Sequence, residues 1–370
     1  MIVEDLYLEK CIGKGGFGEV YLAIKEGTKE KYAVKRIDRK IENDKAFMNY
    51  LKNEIIVLKN LQHKNIVKFI KIIKTKKNFY IVTEYCNGND LSNVLKEYKE
   101  KYGKYFSEEI VQHLMRQIID AFKYIHKREV IHRDIKPANI LLNYENEEDK
   151  KNLNIMKATV KIIDFGFSCR INKTGLKHSL LGSPLYMDPI ILKIAKMKKI
   201  NKLGYDIKAD IWSLGILCYE LLIGKSTFDS KILGELISKV EEGTYNIPTN
   251  LSKEVISFIN GMLQYNSHDR LTTLELSNHP FLTKDIKDFH PLDLKKVEKK
   301  VDKEGLKINV KKNASIWAIF NSEDEEKLTK IKVKESDEKE KNDNDNKYRG
   351  PILPEPNEGI PGNPVNINNK

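Results

Sequence analysis

Cysteine is scarce in this sequence. Cys11, Cys86, Cys169 and Cys218 are its only four, they lie far apart, and none belongs to a C-x-x-C pair. That spacing excludes a zinc site or disulfide scaffold of the usual kind and fits a reducing, cytoplasmic compartment. Long apolar runs are missing too. The longest, Ala209 to Gly224, contains Asp210 and Glu220. It is too short to span a bilayer and reads as a buried helix, so no transmembrane segment is expected. Met1 to Lys10 carries Glu4, Asp5 and Glu9 without an apolar stretch, so no signal peptide is expected. No nucleic-acid module is present and aromatics do not interleave with the basic runs. The net charge of +12 therefore reads as scattered lysine, not as a nucleic-acid surface. Nothing in the sequence sets an oligomeric state.

What is present begins with glycine. Ile12-Gly13-Lys14-Gly15-Gly16-Phe17-Gly18-Glu19-Val20 contains G-x-G-x-x-G. Glycines let a backbone approach phosphates closely and offer its N–H groups. Alone the motif is weak, because dinucleotide-binding folds share it. In those folds a helix follows, whereas Glu19 to Ala23 looks like a second strand, which favours a hairpin folded over a nucleotide. Tyr32 to Lys35 reads as the next strand, with Ala33 and Lys35 on one face. Phe47, Leu51, Ile55, Leu58 and Leu61 mark an amphipathic helix. Glu54 borders that stripe, and an acid there is costly without a cation to pair with. Ile66–Ile73 and Phe79–Glu84 read as two further strands.

The pattern turns helical from Leu91. Ile110, Leu114, Ile118, Ala121, Phe122 and Ile125 form one stripe, with Ser107 as N-cap. Val130 to Leu142 then has two apolar flanks around a polar centre, His132-Arg133-Asp134 through Lys136 to Asn139. Asp134 can accept a proton, Lys136 can neutralise a phosphate and Asn139 can bind a metal. This is the loop pattern H-R-D-x-x-x-x-N. Residues 143–158 read as a charged loop insertion. Asp164-Phe165-Gly166 follows thirty residues after Asp134, a spacing that lifts it above chance.

With three spaced motifs, residues 7–282 resemble the eukaryotic protein kinase family. The resemblance implies an α+β, bilobal fold. A small antiparallel-sheet N-lobe with one regulatory helix would span 7–84, and a larger, mainly helical C-lobe would span 85–282. ATP and Mg²⁺ are the implied cofactors, and proteins with Ser or Thr hydroxyls the implied substrates. Gly13 to Gly18 would cover the phosphates, with Ile12, Glu19 and Val20 beside them. Lys35, held by Glu54, would bind the α- and β-phosphates, and Asp164 and Asn139 would hold magnesium. Asp134 would take the substrate proton and Lys136 would neutralise the moving phosphoryl, as in serine/threonine kinases. Val20, Ala33 and Leu141 would sandwich adenine. Thr83 would be the gatekeeper and Glu84 to Cys86 the hinge. Leu58, Phe69, His132 and Phe165 would form an internal spine. Arg133 would be an exposed, unpaired cation until it received a phosphorylated activation-segment residue, at Ser179, and Ser183 would contact Asp134.

Within the kinases, Tyr80 to Leu91, the insertion before Val160, Asp164 to Ser168 and Leu181 to Met187 resemble the autophagy-initiating, Unc-fifty-one-like group. Two features depart from the family. Its Ala-Pro-Glu is here Asp188-Pro189-Ile190, so Arg270 must find another acid, such as Asp188, or leave the segment looser. Lys193, Lys196, Lys198, Lys199 and Lys202 form a basic run, either a solvated loop or a docking patch for acidic proteins or a membrane surface. A catalytically silent binding scaffold is the alternative function, favoured only by Ile190. The tail has no EF-hand loop, which sets a calcium-regulated kinase aside. Residues 283–370 are charged and then Pro/Asn-rich, and read as mostly disordered. A short helix at Leu292–Val301 is expected. Ser315–Phe320 reads either as a fragment folded back on the domain or as a partner-docking motif.

Overall fold

A computed structural model describes residues 1–15, 18–170, 183–197, 206–291, 301–302 and 305–311. Its first part is a six-stranded antiparallel sheet of β1 (Ile2–Val3), β2 (Leu6–Gly15), β3 (Gly18–Lys25), β4 (Lys31–Asp38), β5 (Phe69–Lys74) and β6 (Asn78–Glu84), in the order β1-β2-β3-β4-β6-β5. The described glycines of the motif lie at the end of β2 and the start of β3, and a strand follows the motif, as expected. Gly18 has φ +134, and a Cβ there would lie 2.1 Å from the Arg36 carbonyl oxygen, so only glycine fits. One helix, α1 (Lys45–Asn60), accompanies the sheet. It buries Leu51, Leu58 and the acid Glu54. The side chain of Phe47 lies outside those described.

The second part is mainly helical. It contains α2 (Leu91–Tyr102), α3 (Glu108–His126), β7 (Val130–Ile131), β8 (Ile140–Asn143), α4 (Glu147–Lys151), β9 (Thr159–Ile162), β10 (Cys169–Arg170), α5 (Pro189–Met197), α6 (Lys208–Ile223), α7 (Leu233–Glu242), β11 (Thr244–Ile247), α8 (Lys253–Met262), α9 (Thr273–Ser277) and α10 (Pro280–Thr283). The stripe read on α3 is buried from Leu114 to Ile125, with Ile110 half-buried, and Ser107 caps that helix by accepting from the Ile110 amide. The apolar run Ala209 to Gly224 becomes α6, buried on nearly every side and closed by Gly224 with φ 77. Among the described residues, no helix is long and apolar enough to cross a membrane.

Two stretches differ from the reading of the sequence. The insertion at 143–158 is more than a loop. Asn146 caps the short helix α4, and Tyr144, Leu153, Ile155 and Ala158 are buried. Four apolar side chains spread among charged ones give too little periodicity to stand out. The expected tail also acquires structure. β12 (Val301–Asp302) and β13 (Gly305–Asn309) join β11 in a sheet ordered β11-β13-β12. Leu306, Ile308 and Val310 are buried there, each contributing about 1.5–3 kcal/mol on leaving water. They alternate with Lys307, Asn309 and Lys311, so the local composition hides a strand of period two. Most of the helix expected at Leu292–Val301 lies outside the described residues, and its last residue begins β12. The Ser315–Phe320 patch lies wholly outside them.

His279 caps α10 and packs against Phe258, its ring nitrogens engaged by the Phe281 amide and the Ser257 hydroxyl. Burial, with Lys284 adding to it, pushes its imidazole down from 6.5 to about 3. The folded chain therefore binds a proton at His279 less readily than the unfolded chain. The associated stability is complete above pH 6.5 and is lost as pH falls toward 3. We expect His279→Asn, which keeps a capping side chain, to flatten unfolding free energy against pH in that window by one proton, about 1.4 kcal/mol per pH unit. Urea unfolding across the window measures it, and an unchanged slope would refute it.

Candidate active site

The sheet and α1 bring together two charges nineteen residues apart. The Lys35 ammonium, on β4, donates to both carboxylate oxygens of Glu54, on α1, at 2.9 and 3.0 Å. Burial works to strip the charge from Lys35, but the carboxylates of Glu54 and Asp164 outweigh it and raise the ammonium above its ordinary value. Burial also raises the Glu54 carboxyl, against the pull of Lys35.

The polar centre of Val130–Leu142 is a tightly bonded loop. The Oδ1 atom of Asp134 accepts from the amide and hydroxyl of Ser183 at 3.0 and 3.2 Å. Its Oδ2 accepts from the Lys136 ammonium and the Asn139 amide nitrogen, each at 2.8 Å. Lys136 also donates to the Ser183 hydroxyl at 2.9 Å. Below the loop, Asp210 of α6 accepts from the His132 and Arg133 amides at 2.9 and 3.0 Å and meets His126 Nε2 at 3.0 Å. Burial alone would raise the Asp210 carboxyl, but His126, His132 and the loop amide together hold it below its ordinary value. Asp210 is a supporting residue that sequence reasoning missed, although the acid stood out within the most apolar helix.

A cavity of about 430 Å³ lies between the lobes. Ile12, Gly13, Lys14, Gly18 and Val20 line it from the hairpin, Ala33 and Lys35 from β4, and Thr83, Glu84 and Cys86 from the end of β6 and beyond. Leu141 and Asp164 close it from the second lobe, and Glu54 reaches it from α1. Tyr85, within the expected hinge, lines it as well, as do Val67, Ile81, Asp90, Ala138 and Ile163, which were not singled out in the sequence. Ala138 and Ile163 sit next to Asn139 and Asp164, so adjacency to the motifs was the available signal. Gly15 pairs with Gly18 at the hairpin end. Gly16 and Phe17 lie outside the described residues. Glu19 does not line the cavity. It pairs with Lys14 at 3.1 Å and with Arg36, and Tyr21 and Lys14 hold its carboxyl at about 2.

The exit from β6 is fastened at both ends. Glu84 accepts from Lys161 of β9 at 2.8 and 3.0 Å and from the Lys68 amide at 2.7 Å. Asn87 exchanges hydrogen bonds with Tyr144, donating to its carbonyl at 2.9 Å and accepting from its amide at 2.8 Å. Between them, Cys86 is buried, which pushes its thiol up to about 12.

A metal bound here would meet hard oxygen donors. Asn139 spends its amide nitrogen on Asp134, which leaves its amide oxygen as the ligand atom. The Asn139 carbonyl accepts from the Ile163 amide at 3.0 Å, tying the loop to the residue before Asp164. A carboxylate and an amide oxygen, completed by phosphate oxygens and water, suit Mg²⁺. Among the described residues no cluster of three or more His, Cys, Asp and Glu side chains forms a metal cage. A two-ligand arrangement of this kind fits a metal held jointly with a nucleotide.

The spine residues Leu58, His132 and Phe165 are buried and Phe69 packs on the same core. His132 and Phe165 have ring centroids 4.8 Å apart. Arg133 corrects an expectation. It is not an exposed cation but a buried one, donating to the carbonyls of Phe167 and Ser168. Its φ of 69° places it in the left-handed region. Ser179 lies outside the described residues. Of the basic run, Lys193 is exposed on α5, while Lys198, Lys199 and Lys202 lie outside the described residues.

Arg270 finds the acid that the Asp188-Pro189-Ile190 departure left in question. Its fully buried guanidinium pairs with Asp188, donates to the carbonyls of Lys208 and Gln264, each at 2.7 Å, and stands 5.1 Å from the Trp212 ring centroid. The same Asp188 accepts from the Ile190 amide at 2.7 Å, at the start of α5.

A two-lobed fold with a buried Lys–Glu pair, an interlobe cavity and an Asp-centred loop defines a nucleotide-dependent phosphotransferase class. Residues 6–282 match the protein kinase domain, and the chain belongs to the protein kinase family. It is 30% identical over 285 residues to the serine/threonine-protein kinase atg1 of Dictyostelium discoideum, a match covering 76% of this chain and 39% of that protein. It is 33% identical to the serine/threonine-protein kinase ATG1a of Arabidopsis thaliana, over 76% of this chain and 42% of that one. It is 34% identical to calcium-dependent protein kinase 5 of Plasmodium berghei, over 80% and 49%. The chain thus spans less than half the length of these relatives.

Removing the Asp188 carboxylate strands a buried guanidinium. Asp188→Ala should lower unfolding free energy by about 3–5 kcal/mol. The double variant Asp188→Ala, Arg270→Met should lose less than the sum of the two single changes. Denaturant unfolding of the four proteins measures this, and strict additivity would exclude a direct pair.

Proposed function

We propose that this chain transfers the γ-phosphoryl group of ATP to Ser and Thr hydroxyls of protein substrates, in autophagy-type signalling in the cytoplasm. The observation that carries the reading is the formed Lys35–Glu54 pair beside Asp164. It supports an active kinase over a silent scaffold, because a scaffold has no need to keep two buried charges matched. The hairpin glycines cover the phosphates and Lys35 binds them. Val20, Ala33 and Leu141 enclose adenine, and backbone groups from Glu84 to Cys86 meet its edge.

Asp134 orients the incoming hydroxyl and accepts its proton. Lys136, already beside Asp134 and Ser183, supplies positive charge to the phosphoryl being moved. Asp164 and Asn139 hold magnesium, which when bound neutralises phosphate charge. Lys136 also favours Ser/Thr over Tyr as acceptor, by resemblance to serine/threonine kinases. The autophagy assignment is supported by the resemblance to atg1 and ATG1a over the catalytic domain alone. The basic run from Lys193 to Lys202 is the candidate for peripheral membrane or acidic-protein contact.

A peptide-library assay with Mg-ATP should label Ser and Thr peptides and leave Tyr peptides unlabelled. Asp134→Asn should reduce turnover about 10²–10⁴-fold while leaving ATP binding in place. Labelled Tyr peptides, or an Asp134→Asn enzyme as fast as wild type, would sink the chemistry. Unaltered starvation-induced autophagic flux in cells carrying only Asp134→Asn would sink the pathway.

Phosphorylation at Ser179 is the proposed trigger that orders the activation segment, and Arg133 would receive it only by turning away from the Phe167 and Ser168 carbonyls. Ser179→Ala should slow turnover about tenfold or more at saturating ATP. An enzyme as fast as wild type rules the trigger out.

A further inference from the structure

β13 lies beyond the matched domain, which ends at residue 282. It is the central strand of its sheet and runs antiparallel to β11, with Thr244 opposite Asn309 and Ile247 opposite Leu306. Its fit is specific at several points. Gly305 opens it with φ +124, and a Cβ there would lie 2.4 Å from the Ile247 carbonyl oxygen. Leu306, Ile308 and Val310 then enter the main core at 2% exposure or less. At the far end the Val310 amide donates to the Gly243 carbonyl at 2.8 Å, and the Tyr265 amide donates to the Val310 carbonyl at 3.2 Å. The Lys311 ammonium stands 4.8 Å from the Tyr265 ring centroid.

The acceptor side is built from residues within the domain. β11 follows α7 through Gly243, and α7 packs on α5. Without β13, β11 would present open backbone groups beside an apolar channel, the form of a strand-docking edge. The segment that fills it is tethered nearby. Pro291 is bridged to Ser252, and only nine residues, 292–300, separate it from β12. So short a tether gives an effective concentration on the order of millimolar, which favours this occupant over an untethered one.

We propose that the second lobe carries a strand-docking groove along β11, and that its occupant is this chain's own Gly305–Val310 segment. The groove selects an extended segment that opens with glycine and places Leu, Ile and Val at alternate positions. Docking is a non-covalent latch that holds the end of α7 in place. It depends on neither nucleotide nor catalysis, so it stands apart from the proposed activity.

Two experiments on the full chain test it by hydrogen exchange at Thr244–Ile247. In the first, a protease site is inserted between Pro291 and Val301 and cut after folding. The nicked protein should keep the protection of the uncut one at about 10 μM, because the groove still holds its strand. Exchange about tenfold faster after the cut would overturn the proposal. In the second, Ile308→Asp should raise exchange about tenfold or more. A synthetic 301–312 peptide should restore protection, whereas the same peptide carrying Ile308→Asp should not. Unchanged exchange in the variant, or no restoration by the native peptide, would likewise overturn it. Should Ile308→Asp fail to fold, the nicked protein decides the matter.

Discussion

A carboxylate sealed inside the second lobe holds the geometry of the site. Asp210 engages two successive amides of the loop, at His132 and Arg133, and the ring of His126. Arg133 has φ 69, a left-handed conformation that costs a residue with a Cβ about 1–3 kcal/mol and persists only where its surroundings over-determine it. The two amide bonds supply that constraint. Asp134, one residue on, is thereby aimed at Ser183, Lys136 and Asn139. α3, α6 and the loop are thus joined through one buried anion. Asp164, with φ 63, shares this left-handed conformation, and the Ile163 amide ties its strand back to Asn139.

Buried charge recurs as the way distant segments are joined. Lys35 and Glu54 join the sheet to α1, and Arg270 and Asp188 join the end of the chain's helical core to the start of α5. Each partner is costly to bury alone, so the pairs enforce the arrangement that brings them together. This explains how Ile190 can stand where the family has an acid. The acid has moved two positions toward the N-terminus and also holds the first turn of α5.

Much of this was legible in the residues. The hairpin after Ile12, the Lys35–Glu54 pair, the α3 stripe and the Asp134, Asn139 and Asp164 motifs each carry a local pattern or a fixed spacing. What was hidden depends on partners far along the chain. Asp210 is read as an acid in an apolar helix until the loop amides appear above it. Arg133 looked exposed because its left-handed backbone, and the Phe167 and Ser168 carbonyls that receive it, are tertiary facts. β13 is five residues long and set among lysines, so its alternation is too brief to outweigh the composition around it. The α4 insertion was hidden for a similar reason, its buried residues being spread along a charged stretch.

The fastening of the β6 exit has a mechanical consequence. Glu84 is strapped to β9 of the other lobe through Lys161, and Asn87 is laced to Tyr144. The joint between the lobes is therefore clamped on both sides, and the free travel is confined to the torsions of Tyr85 and Cys86. A ligand wedged against this joint would have to stretch the Glu84–Lys161 strap before it could widen the gap. Because β9 leads directly into Asp164, the same strain would be delivered three residues downstream, at a carboxylate that lines the interlobe cavity. The cavity wall from Glu84 to Cys86 and the carboxylate of Asp164 are thus geared together.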